Sequence, residues 1–256
     1  MSSFAGSRLE ARQIVRTFDE RIVVDHVDLV AEAGLITVII GPNGAGKTTL
    51  FNSLAGAEFP DEGQVLLNDR DITRLDSDNR SRLGVARTFQ QSTVFSSLSV
   101  EENLQVGAEN RSHNGIARGL LGLADRSRFG DRAIVDDVLR ELTLGPVRHV
   151  RAGSLPTGTL RMVELGRALC TRPTVLLLDE PASGLDDAET EELHQLLHRL
   201  AGRGLALLLV EHDLDLVREA ADVVYVMAAG RMLASGRPED VISRPDVRAV
   251  ALGIPT

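Results

Sequence analysis

Eight consecutive residues, Gly41-Pro42-Asn43-Gly44-Ala45-Gly46-Lys47-Thr48, carry the spacing G-x-x-x-x-G-K-[ST]. That spacing suits one task, the holding of phosphate groups. Glycines let backbone N–H groups curl inward around phosphate oxygens, where side chains would obstruct them. A helix starting just after the loop points its partially positive N-terminus at the same anion. Lys47 supplies a full charge to the outer phosphates, and the Thr48 hydroxyl is a natural Mg²⁺ ligand, with Thr49 next along the helix. Lys47 is also the only lysine in the chain, every other basic residue being arginine. A compact ammonium suits a cradle built for a point charge, where a planar guanidinium fork would not fit.

Three further stretches offer groups that complement a phosphate site. Val175 to Leu178 is an apolar run ending in the adjacent carboxylates Asp179 and Glu180. In parallel sheets ligands bind at the carboxyl ends of strands, where the phosphate loop also emerges. Asp179 would then reach Mg²⁺ together with Thr48, and Glu180 would orient and polarise an attacking water as general base. Val210-Glu211-His212-Asp213 repeats the device of an apolar strand followed by a polar switch. His212 could hydrogen-bond the terminal phosphate, or hold the water and Glu180 in place. Gln90, at the end of another apolar stretch, offers an amide able to touch both Mg²⁺ and water.

The elements that must position these groups follow from hydrophobic patterning. Arg8 to Val15 and Ile22 to Val30 alternate apolar and polar residues, as antiparallel strands with one wet face do, with Phe18 in the turn between them. Ile36 to Ile40 is a short apolar run of the kind a buried parallel strand shows. Leu50, Phe51 and Leu54 take up helical spacing, and Gly56 is placed to cap that helix. Asp61-Glu62-Gly63 reads as a turn, followed by strands at Gln64 to Asn68 and Gly84 to Phe89. From about Ser92 the texture becomes helical, with helices expected over Val100 to Ala108 and Ile134 to Leu142. Between these two, Arg111 to Phe129 is rich in Gly, Arg and Ser and reads as a surface loop. Strand pattern resumes at Thr174 to Leu178, Ala206 to Val210 and Val223 to Met227, with a helix over Ala188 to Leu200. Strand, helix, strand in this order predicts parallel crossover units, and hence an α/β parallel core interrupted by a helical insertion.

Composition narrows the partners. The chain is 43% hydrophobic and 25% charged, as soluble globular proteins are, and its 256 residues allow one large domain or two small ones. A net charge of −9 argues against a nucleic-acid-binding surface, which needs a basic patch. The single cysteine, Cys170, allows no internal disulfide, fits a reducing compartment, and falls in an apolar helical stretch where core burial is expected. No apolar run approaches the roughly 20 residues of a membrane span, and the N-terminus has no signal-peptide core. A cytoplasmic protein is expected, one able to sit on a membrane partner.

Taken together these motifs resemble the ATP-binding subunit of ABC transporters over nearly the whole chain. Gly41 to Thr48 is similar to the family's phosphate loop, Gln90 to its Q-loop and Val175 to Glu180 to its second nucleotide motif. Ala182-Ser183-Gly184-Leu185-Asp186 resembles the D-loop, and His212 the switch histidine. Phe18 stands where the family places an aromatic ring to stack on adenine. The resemblance implies a P-loop NTPase with a RecA-like parallel core and an N-terminal antiparallel β subdomain. A helical subdomain would be inserted at about 92–165 of a single 1–256 unit. It implies ATP and Mg²⁺ as cofactors, with Gly158 and Asp186 joining the nucleotide set. It also implies a second ATPase subunit, identical or paralogous, an integral membrane permease, a solute-binding protein and a position on the inner face of the membrane.

One segment departs from the family pattern L-S-G-G-Q, reading Leu155-Pro156-Thr157-Gly158-Thr159. Pro156 replaces the serine whose hydroxyl meets the opposite subunit's nucleotide, while Gly158 and the helix N-terminus survive. Thr157 or Thr159 is left as the hydroxyl donor. Loss of one charge-assisted hydrogen bond costs on the order of 1.5–3 kcal/mol, enough to slow hydrolysis without abolishing it. Within the family, Ala86-Arg87-Thr88-Phe89-Gln90, Glu102-Asn103-Leu104 and the run Pro245 to Gly253 are most similar to the branched-chain amino acid uptake type. The lipopolysaccharide-exporter ATPase is a near relative that keeps the usual signature. A soluble ABC regulator that binds ATP without driving transport is the other alternative.

Overall fold

The computed structural model describes residues 6–88, 94–109, 124–212 and 214–251. The N-terminal alternation forms strands β1 (Arg8–Phe18) and β2 (Arg21–Glu32), joined through Asp19 and Glu20, both at positive φ. With β4 (Glu62–Leu67) and β5 (Arg70–Asp71) they make a four-stranded antiparallel sheet in the order β2-β1-β4-β5. The turn expected at Asp61-Glu62-Gly63 closes earlier than its residues suggest. Glu62 already pairs with Val15, so Glu62 and Gly63 belong to β4.

A second, six-stranded sheet has the order β10-β9-β3-β8-β7-β6. It comprises β3 (Ile36–Ile40), β6 (Val85–Arg87), β7 (Val175–Asp179), β8 (Ala206–Val210), β9 (Val223–Ala228) and β10 (Arg231–Gly236). All neighbours run parallel except the edge pair β9 and β10. Every residue of β3, β7 and β8 is buried, which explains why they are apolar apart from Thr37 and the terminal Asp179: strands covered on both faces have no wet side to mark by alternation. The two faces bury different cores. Ile36, Val38, Leu176, Leu178, Leu207 and Leu209 face one cluster, and Ile39, Val175, Leu177 and Leu208 face the other. The second cluster includes the helix after the phosphate loop and the antiparallel sheet, so the parallel sheet is the middle layer.

The helices are α1 (Lys47–Ala55), α2 (Ser77–Arg82), α3 (Val100–Glu109), α4 (Ala124–Glu141), α5 (Thr157–Cys170), α6 (Asp187–Gly202), α7 (Leu214–Ala220), α8 (Pro238–Ile242) and α9 (Pro245–Ala251). Three of them, α3, α4 and α5, stand between β6 and β7. Asn103 is wholly buried at the start of α3, with its amide bonded to Phe95, Leu98 and Ser99, and pins the preceding loop to the helix. Gly107 allows α3 to lie against α5, since a Cβ there would come within 2.2 Å of the Arg167 carbonyl. Helix α4 begins ten residues before the expected Ile134, so 124–129 is helical rather than loop. Its first turns carry arginine and aspartate with no apolar stripe, and hydrophobic periodicity cannot mark them. The rest of that expected loop, and Phe89 at the end of the expected Gly84–Phe89 strand, lie outside the described residues. Cys170 is buried as expected, and burial pushes its thiol up to about 12.

One buried cation anchors α1. Arg80 of α2 is fully inaccessible and donates to four backbone carbonyls: Ser53 (2.5 Å), Leu54 (2.7 Å), Thr73 (2.9 Å) and Leu75 (2.9 Å). Ser53 and Leu54 are last-turn carbonyls of α1, which no intrahelical donor satisfies. Burial pushes Arg80 down to about 10, still far above neutrality, so it remains charged. Arg80→Met would leave these carbonyls buried and unpaired, at a cost of about 3–5 kcal/mol. Chemical denaturation at pH 7 checks this, and a loss below about 1 kcal/mol would show that water replaces the guanidinium.

Candidate functional site

Three strand ends of the parallel sheet lie in one row. Val210 of β8 pairs with Ile39 of β3 on one side and with Asp179 of β7 on the other. The row continues one residue further, where the Glu211 N–H donates to the Ile39 carbonyl (3.1 Å) and the Glu180 N–H donates to the Val210 carbonyl (3.0 Å). The phosphate loop, the paired carboxylates and His212 therefore leave the sheet side by side. Loops at the carboxyl ends of parallel strands converge this way because the sheet carries them there.

The phosphate loop runs from β3 into α1, whose N-cap Gly46 has φ 96°. A Cβ on Gly46 would come within 2.4 Å of the Val23 carbonyl, and one on Gly41 within 2.2 Å of the Met227 carbonyl. These two glycines are thus required by the close approach of β2 and β9, in addition to any ligand. Gly44, at φ 78°, has open space around it. The Lys47 ammonium donates to the Gly41 carbonyl (2.6 Å) and the Pro42 carbonyl (3.1 Å), which folds it over its own loop. Burial draws Lys47 below the usual lysine value, opposed by the carboxylates of Glu180 and Asp179. Thr48 is exposed at the head of the helix.

Asp179 is 2% exposed, and its Oδ1 has no hydrogen-bond partner among the described residues. Its Oδ2 faces Arg87 Nη2 at 3.4 Å. Burial raises the Asp179 carboxyl above the usual aspartate range; Arg87 opposes this and Glu180 adds to it. A buried oxygen left without a donor suits a hard cation, and Asp179 with the Thr48 hydroxyl has the oxygen chemistry that Mg²⁺ takes. Glu180 sits at φ 47°, a left-handed conformation that costs a non-glycine residue of order 1 kcal/mol or more. Its Oε1 lies 3.9 Å from His212 Nδ1, and the side chains are 37% and 66% exposed, so both remain accessible.

Glu211, read in the sequence only as part of the polar switch from Val210 to Asp213 and given no role of its own, is 2% exposed. Its Oε1 accepts from the Ala182 N–H at 3.5 Å, which ties the end of β8 to the segment after β7. Desolvation pushes its carboxyl up to about 7; the Ala182 N–H and His212 pull the other way, and Glu180 adds to the rise. Because the folded chain holds this proton more tightly than the unfolded one, stability falls as pH rises from about 4.5 to 7, and the full penalty persists above that. Glu211→Gln removes the charge and keeps the acceptor. The variant is expected to be more stable than the parent at pH 8, by at most about 3 kcal/mol, with the difference shrinking to below about 1 kcal/mol at pH 5. Denaturation midpoints at the two pH values check the sign.

The remaining expected residues fall into separate places. Phe18 ends β1, is 41% exposed, and has the Arg16 guanidinium 4.5 Å from its ring centroid. Gly158, in the first turn of α5, lies against Glu189 of α6, whose Oε1 would be 2.0 Å from a Cβ there. Asp186 caps α6, accepting from the Glu189 N–H while its own N–H donates to Glu189, a reciprocal capping box. Glu189 thus joins Gly158 to Asp186. Pro156 is the N-cap of α5 and makes no side-chain cap, so the N–H groups of that helix's first turn are left to other acceptors. Gln90 lies outside the described residues.

A phosphate cradle at the carboxyl end of a parallel sheet, faced by buried and accessible carboxylates from neighbouring strands, defines a P-loop nucleoside triphosphatase. Residues 24–183 match the ABC transporter family profile. The high-affinity branched-chain amino acid transport ATP-binding protein LivG of Escherichia coli (strain K12) is 36% identical over 248 residues, covering 96% of this chain and 97% of that protein. BraF of Pseudomonas aeruginosa, described in the same words, is 35% identical over 249 residues, covering 96% and 97%. The lipopolysaccharide export system ATP-binding protein LptB of Acidithiobacillus ferridurans is more distant, at 32% over 245 residues and 96% of each chain. Among solved structures, the ADP conformation of MJ1267, an ATP-binding cassette of an ABC transporter, superposes with a TM-score of 0.83 at 31% identity, covering 96% of this chain and 99% of that one. The chain belongs to the ABC transporter family, as an ATP-binding, ATP-hydrolysing subunit homologous to the branched-chain amino acid transport ATP-binding proteins. Subunits of this class work with membrane permease components. Among the described residues no helix is long and apolar enough to cross a membrane.

Proposed function

We propose that this chain powers import of branched-chain amino acids or related small polar solutes, bound as a peripheral subunit to the cytoplasmic face of a membrane permease fed by a solute-binding protein. The observation that carries this reading is the row of strand ends Ile39, Val210 and Asp179, which brings out the phosphate loop, Glu180 and His212 together. The near full-length identity to LivG supports the substrate class. In this reading the whole chain is one ATPase unit, with 92–165 as its inserted helical arm.

Each residue then has a task. Backbone N–H groups of Gly41 and of Asn43 to Thr49, with Pro42 shaping the loop, and the Lys47 ammonium hold the phosphates of ATP, and Phe18 stacks on the base. Mg²⁺, held by Thr48, Asp179 and Gln90, supplies charge neutralisation at the transferring phosphoryl group when bound. Glu180 takes the proton of the attacking water, and His212 orients Glu180 and that water. Gly158 and Asp186 act across a head-to-tail dimer on the partner's nucleotide, since one chain holds one phosphate loop and one signature. A groove of about 160 Å³ runs between the core and the helical arm, with Arg87, Thr88, Gly107, Glu164 and Arg167 on its walls. Arg87 and Thr88, which end β6 and follow it, lie on this groove, which supports it as the permease contact.

The experiment is a pull-down of Glu180→Gln protein from detergent-solubilised membranes with ATP, followed by identification of what accompanies it. A multi-span permease pair with a second ATPase is the expected result. Ribosomes, DNA or no membrane partner would move the ATPase to a soluble role. The uncapped start of α5 at Pro156 favours a second reading, a regulator that binds ATP without turnover. Mg²⁺-dependent ATPase activity that disappears in Glu180→Gln separates the two.

A further inference from the structure

The sequence contains Arg87 as one arginine among many, yet its side chain touches three parts of the molecule. It is the last residue of β6, in register with Leu177 of β7, two residues short of Asp179. From there its Nη2 reaches Asp179 Oδ2 at 3.4 Å, and its Nη1 donates to Asn52 Oδ1 at 2.6 Å on α1. The guanidinium also lies 4.8 Å from the Phe51 ring centroid, and the residue lines the groove beside Glu164 and Arg167. Asn52 is held in turn by Glu58, to which its amide donates at 2.8 Å.

We propose that Arg87 is a positioning residue that couples the groove to the cation-binding carboxylate Asp179, so that what either site binds changes the other. The inference rests on the ATPase reading and goes beyond it. Three physical facts support it. The Asp179 side chain is wholly inaccessible, so it needs a counter-charge, and among the described residues Arg87, itself only 13% exposed, is the cation paired with it. A separation of 3.4 Å is long for a charge-assisted bond, which leaves the carboxylate held but not saturated. A divalent cation and a guanidinium beside one carboxylate repel each other, so cation binding by Asp179 drives Arg87 off the carboxylate, toward Asn52, which it already holds, and the groove. By thermodynamic reciprocity, an acidic group in the groove that draws Arg87 away strengthens cation binding at Asp179 by the same factor.

The test places a solvatochromic maleimide on the groove wall through Ser81→Cys. The native Cys170 is buried, with its thiol pushed up to about 12, so labelling is selective. Affinity for a fluorescent ATP analogue is first measured in EDTA, and Mg²⁺ is then titrated into the ATP-saturated protein while the groove label is followed. With Arg87 present the label responds to Mg²⁺. In Arg87→Gln the analogue binds in EDTA within about threefold of the parent, which shows an intact fold, and the Mg²⁺ response is lost. Should that variant not fold, Arg87→Lys keeps the charge but cannot span Asn52 and Asp179 together. Its response is expected at less than half of the parent's. A full response in either variant, or no response in the parent despite ATP binding, overturns the coupling alone. Failure of the parent to bind ATP would overturn the ATPase reading and this inference with it.

Discussion

Glu180→Gln protein is expected to hydrolyse ATP about 10²–10⁴-fold more slowly than the parent while binding ATP with unchanged affinity. Glutamine has the size of glutamate and lacks only the capacity to take a proton, so a loss confined to turnover assigns that capacity to Glu180. The environment is suited to the task. Glu180 is accessible, stands beside buried Asp179 and opposite His212, and sits at φ 47°, a strained backbone conformation. In the head-to-tail dimer proposed above, the carboxylate does not act on phosphate binding, so ATP is expected to close the dimer and the variant to stay closed. Size exclusion with Mg·ATP should therefore show a dimer for the variant that persists where the parent returns to monomer. Turnover near that of the parent would remove Glu180 as the base.

Lys47→Ala is the second large effect, and it falls on binding. Its ammonium is partly desolvated and already paired with two loop carbonyls, so it is pre-positioned and incompletely neutralised at the mouth of the cradle. A charge-assisted contact to phosphate contributes about 1.5–3 kcal/mol, which corresponds to roughly 10- to 150-fold in ATP affinity. Equilibrium titration with a fluorescent ATP analogue measures it. Undiminished affinity would mean that the loop's backbone N–H groups alone hold the phosphates. Lys47→Arg is expected to recover little, because a fork cannot fold back over Gly41 and Pro42 as the ammonium does.

Much of this site is legible in the sequence because its parts sit on strongly patterned elements. The runs Val175–Leu178 and Ala206–Val210 are apolar at every position and Ile36–Ile40 at all but Thr37, and each stops at or next to the end of a buried strand, where the paired carboxylates, Glu211-His212 or the phosphate loop begins. Arg87 is different. Its importance depends on the β6–β7 register and on Asn52 arriving from α1, neither of which leaves a local pattern. Glu211 reads as a polar residue just past a strand; it is buried because its N–H continues the sheet row to Ile39 and Ala182 folds over it. Gly41 and Gly46 were legible as phosphate-loop glycines, but the crowding by Met227 and Val23 that forbids any other residue is a tertiary fact. The short β5, α2 and α8 span too few residues for a period to show. Helix α4 hides its beginning in charge.

The central claim, that the loop around Lys47 holds ATP, has a direct measurement because this is the only lysine in the chain. Amine acylation followed by mass spectrometry reports this one side chain, with the N-terminal amine falling on a separate peptide. Saturating Mg·ATP is expected to suppress Lys47 modification at least tenfold relative to protein without nucleotide, while N-terminal labelling is unchanged. Equal modification of Lys47 with and without ATP would contradict the account.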